Sequence, residues 1–118
     1  MRLSEELRNR TKQFSSSVIR LYIALPKERV EAAVIGKQLL RSATSVAAHA
    51  REASRARSDS EFCSKLDVLL QESDESALWL EHLAEDCGIS TGNIDPIHGE
   101  CSELIAIFTT IVSKLRRR

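Results

Sequence analysis

Ser42, Ser45, His49 and Glu52 recur at steps of three and four residues, so they form one stripe on a helix. A hydroxyl, an imidazole and a carboxylate are the parts from which a nucleophile, a base and an orienting acid are built. Side chains on one straight helix point away from its axis and do not converge on a shared reacting atom, and no neighbouring loop offers an oxyanion hole. A hydrogen-bonded polar stripe is therefore expected, with no catalytic residue and no enzymatic activity. A second group, His82, Cys87, His98 and Cys101, gathers around one interhelical connection, where His98-x-x-Cys101 could share a metal. The spacing is irregular, which favours buried thiols over ligands. A di-metal bundle site needs Glu three residues before His, and none of His49, His82 and His98 has one. No metal or cofactor is expected.

Cations offer the remaining chemistry. Lys37, Arg41, Arg51 and Arg55 share a stripe with Thr44 and Ala48, and Arg57 follows in the next turn. Twelve Lys and Arg stand against five Asp and Glu from Met1 to Arg57, and five against twelve from Ser58 to Arg118, so a neutral chain has two oppositely charged halves. Such a stripe can contact nucleic-acid phosphates, each neutralised phosphate adding salt-dependent affinity. It can equally pair with carboxylates such as Glu72 and Glu75, or with those of a neighbouring subunit. No aromatic stacking platform, zinc finger or RNA-recognition signature accompanies it, which favours pairing and leaves nucleic-acid binding as the alternative. Arg116, Arg117 and Arg118 suit the negative end of a helix.

These residues are positioned by four predicted helices. The first runs from about Ser4 to Leu25, with Leu3, Leu7, Phe14, Val18, Leu21 and Leu25 on one face, and stops at Pro26. The second runs from Lys27 or Glu28 to about Arg55; its inner seam of Gly36, Leu39, Ala43, Val46, Ala50 and Ala53 is small-sided, letting another helix approach closely. Ser58-Asp59-Ser60-Glu61 reads as a capping box opening the third, whose seam is Phe62, Leu66, Leu69, Ser73, Ser76, Leu80, Leu83 and Cys87 before a C-cap at Gly88. Ile89 to Ile94 reads as a loop, and Asp95-Pro96 as the start of the fourth helix, with Ile97, Cys101, Leu104, Ile105, Phe108, Ile111, Val112 and Leu115 on its apolar side. Long helices with short connections predict an all-α, antiparallel up-down-up-down four-helix bundle.

At 118 residues, one domain spanning 1–118 is expected. No run is apolar enough for a membrane span, the N-terminus lacks a signal-peptide core, and three cysteines fit reduced thiols; a cytoplasmic protein is expected. Ile19, Ile23, Val30, Val34, Val68, Leu78 and Trp79 fall outside the seams. As a set they predict a second buried surface, hence a homo-oligomer or a protein partner, with Trp79 as its anchor.

Three segments, GKQLLRSATSV (36–46), REASRARSDSEF (51–62) and ESDESALWLEHL (72–83), together with the turn Pro26-Lys27-Glu28, carry a family resemblance. The chain resembles the four-helix bundle family that includes proteins encoded within intervening sequences of bacterial large-subunit rRNA and the accessory variability determinant of diversity-generating retroelements. The likeness spans about residues 14–88. It implies a cytoplasmic, non-enzymatic bundle that assembles as a homopentamer, in a family whose members mostly lack an assigned activity. Its retroelement members are strongly basic and engage nucleic acid, whereas this chain is neutral.

Overall fold

Ser4 accepts a hydrogen bond from the Leu7 amide and opens the first of four helices, whose positive end also carries Glu5 and Glu6. The computed structural model describes residues 2–118. They form α1 (Glu5–Ala24), α2 (Val30–Ser54), α3 (Asp59–Glu85) and α4 (Thr91–Arg116), with no strand among the described residues. Consecutive helices run antiparallel and meet in cyclic order as an all-α four-helix bundle, elongated to 49 × 21 × 21 Å.

The small-sided seam of α2 is fully interior: Ala43, Val46 and Ala53 are 0% exposed and Ala50 1%. Their small side chains bring α3 close, and α2 against α3 is the most extensive helix contact in the molecule. Above and below this seam the core is completed by Phe14, Val18 and Leu21 from α1, Leu66, Leu69 and Leu80 from α3, and Leu104 and Phe108 from α4. Ser42 also turns inward. Its hydroxyl lies 2.8 Å from that of Ser76, and both are fully buried. Each hydroxyl also lies within reach of a backbone carbonyl of its own helix, Leu39 and Glu72 respectively, so one serine donates to its partner and the partner to its own carbonyl, and both protons find acceptors without water.

Two helix starts differ from the sequence reading. α2 begins at Val30, because Lys27 and Glu28 form a turn after Pro26 and Arg29 occupies the N-cap. The Arg29 guanidinium pairs with Glu31 at 2.6 Å and donates to the Cys87 carbonyl, tying this turn to the end of α3. α4 begins at Thr91, one turn before Asp95-Pro96, so most of the expected loop is helical. Ile94, 2% exposed, is the physical reason: burying it recruits the preceding turn, even though Pro96 then lies inside the helix and leaves the Gly92 carbonyl without its amide donor. Gly88 does reverse the chain, at φ 68°, with the Ile89 amide bonding the Leu83 carbonyl. Ser58 caps α3 through the Glu61 amide at 3.0 Å. The reciprocal arm of the box is not made, since the Glu61 carboxylate instead faces Arg57 at 3.6 Å.

Candidate interaction surface

The polar stripe of α2 is divided among three sets of partners. Ser42 pairs with Ser76, Ser45 and His49 bond one another at 3.0 Å, and the Glu52 carboxylate accepts from Lys65 of α3 at 3.1 Å. The hydroxyl, imidazole and carboxylate thus form no relay. His98 and Cys101 are likewise kept apart in function. His98 Nε2 meets Glu81 at 2.9 Å, whereas the Cys101 thiol is buried and donates to the Ser73 carbonyl at 3.1 Å. Burial, reinforced by Asp74, pushes the Cys101 thiol up to about 12, and burial also raises that of Cys87. No three His, Cys, Asp or Glu side chains among the described residues converge to hold a metal ion.

The basic stripe splits. Arg41 reaches Glu72 at 3.3 Å and Glu75 at 3.0 Å, and Arg57 reaches Glu61. Lys37, Arg51 and Arg55 make no side-chain hydrogen bond or ion pair among the described residues. Arg51 and Arg55 instead line an open groove of about 620 Å³ between the first half of α1 and the second half of α2. Arg8 and Lys12 face them from α1, Ala47 and Ala48 leave the groove wide, and Glu5 and Glu52 sit at its edges. Sequence reasoning missed Arg8 and Lys12. Their signal was helical spacing, since Arg8, Lys12, Ile19 and Ile23 fall on one face of α1.

That same outward face turns apolar toward the α1–α2 turn. Ile23 is 66% exposed, Val30 73% and Val34 55%, with Ile19 also exposed. Ile23, Tyr22, Leu25, Pro26 and Ala33 line a smaller apolar pocket of about 260 Å³ there. On α3, Asp67, Gln71, Asp74, Leu78, Glu81 and Glu85 form the outward stripe, so exposed Leu78 stands among carboxylates. Val68 is half-buried. Trp79 is also half-buried, packed against the core with its indole N–H enclosed and unpartnered, and it lies 6.3 Å from the His82 ring. At the opposite pole Arg2 and Arg118 both approach Asp59, and Arg116 pairs with Asp67 through both of its carboxylate oxygens.

Four antiparallel helices around one closed core define an all-α four-helix bundle. A family model described as 23S rRNA-intervening sequence protein matches residues 5–110, and the chain belongs to that family. It is also similar to a crystal structure of a protein of unknown function from the S23 ribosomal protein family of Bacteroides thetaiotaomicron VPI-5482, at 30% identity and a TM-score of 0.80, covering 90% of this chain and 97% of that one. Comparison with curated proteins gives no match. No helix among the described residues is long and apolar enough to cross a membrane.

Proposed function

We infer that this chain is a non-enzymatic, cytoplasmic module of one domain that works by assembling with copies of itself. The observation that carries the reading is the exposure of Ile19, Ile23, Val30, Val34 and Leu78, large apolar side chains left outside a core that is already closed. Water contact with such a set is costly, and covering it with a second subunit recovers about 25 cal/mol for each Å² of apolar surface removed. Homopentamers, the assembly implied by the family resemblance, bury surfaces of this kind around a ring. Light scattering behind size-exclusion chromatography should give a mass that is a multiple of 13.2 kDa. Val34→Asp combined with Ile23→Asp should shift that mass toward the single chain while leaving the helical circular dichroism intact. A monomeric wild type sinks the reading.

A second reading, a nucleic-acid accessory protein, draws on the groove of Arg8, Lys12, Arg51 and Arg55. Phosphodiester chains favour such clusters, and binding would weaken steeply with salt. Glu5 and Glu52 at the groove edges and the absence of stacking aromatics along it count against this use.

A further inference from the structure

We propose that the basic groove between α1 and α2 receives the outward acidic stripe of α3 from a second copy of this chain, giving a head-to-tail contact. This rests on the assembly reading above and names the two surfaces that meet.

The groove offers four cations against two carboxylates, and one of those, Glu52, is engaged by Lys65. Lys12, Arg51 and Arg55 have no ion-pair partner among the described residues. The α3 stripe has the opposite character. Asp74 and Glu85 are exposed with no ion-pair partner among the described residues, and Glu81 has only the His98 ring. Each surface therefore holds charge that its own subunit leaves uncompensated.

Charge then decides between modes of contact. A contact that set groove against groove would press Arg51 and Arg55 toward the cations of the other copy, and like charges in contact are costly. Docking the α1–α2 face of one copy on α3 of the next cancels the charge at every contact. A contact between two different surfaces leaves one of each free, so it propagates and ends only by closing into a ring.

The test uses the full chain and two exposed double variants, Arg51→Glu with Arg55→Glu and Asp74→Lys with Glu85→Lys. Measured by light scattering in about 0.1 M salt, each alone should weaken assembly by roughly tenfold or more. Carrying all four reversals in one chain should restore it, because reversed stripe then meets reversed groove at every contact, whatever the number of subunits in the ring. Raising salt to about 1 M, where the screening length falls to about 3 Å, should weaken the wild type. Restoration in the fourfold variant also shows that the reversed side chains leave the fold intact. The proposal is overturned if the α3 variant assembles like the wild type, if the fourfold reversal restores nothing while keeping its helical circular dichroism, or if the groove variant keeps its assembly and loses salt-sensitive RNA retention. A wild type that is monomeric sinks the assembly reading as well, whereas a wild-type oligomer indifferent to salt and to both reversals sinks only this docking mode.

Discussion

Cys101 is buried between α3 and α4 with its thiol proton held by the Ser73 carbonyl. Burial and the nearby Asp74 push its ionisation up to about 12, while an unfolded chain ionises a cysteine near about 8.5. Between those values the folded state keeps a proton that the unfolded state releases. The thiol's contribution is therefore fully present below about pH 8.5 and is lost as pH rises toward about 12. Urea midpoints should fall across this range, and Cys101→Ala should flatten the decline, leaving the part owed to Cys87. The burial of both cysteines was legible, since each falls on an apolar seam. Ser42 was not: a lone hydroxyl carries no apolar signal, and its partner Ser76 lies 34 residues away on another helix.

Individual helices announced themselves through periodicity and caps more clearly than through loop-forming residues. Ser58 opens α3 where its capping pattern placed it, because a serine oxygen satisfies an amide that the helix cannot. Ser58→Ala should cost about 1 kcal/mol, a drop in thermal midpoint of about 4 °C by calorimetry. Ser90, the N-cap of α4, makes no side-chain bond, so Ser90→Ala should be close to neutral in the same measurement. The start of α4 was misread because Gly92, Asn93 and Pro96 signal a turn locally, whereas the burial of Ile94 depends on where α4 meets the rest of the bundle. The start of α2 shifted for a similar reason. Arg29 is held by Glu31 and by the end of α3, contacts that no local pattern encodes.

Across the molecule, the opposed charges of the two halves were plain in the composition, and so was the set of apolar side chains left over. Their arrangement was not. Arg8 and Lys12 join Arg51 and Arg55 only because α1 and α2 run antiparallel in a particular register, and a stripe read on one helix cannot show what faces it from the next. Trp79 shows the same limit. Its size fitted an interface anchor, yet most of its ring is spent against the protein's own core. The four contacts around the bundle are also unequal, with α2–α3 the broadest and α1–α4 the narrowest. A barrel with one weak stave joint comes apart there first. Amide hydrogens of α1 and α4 should exchange with deuterium ahead of those in the inner turns of α2 and α3, and motion along that joint would leave the α2–α3 spine in place.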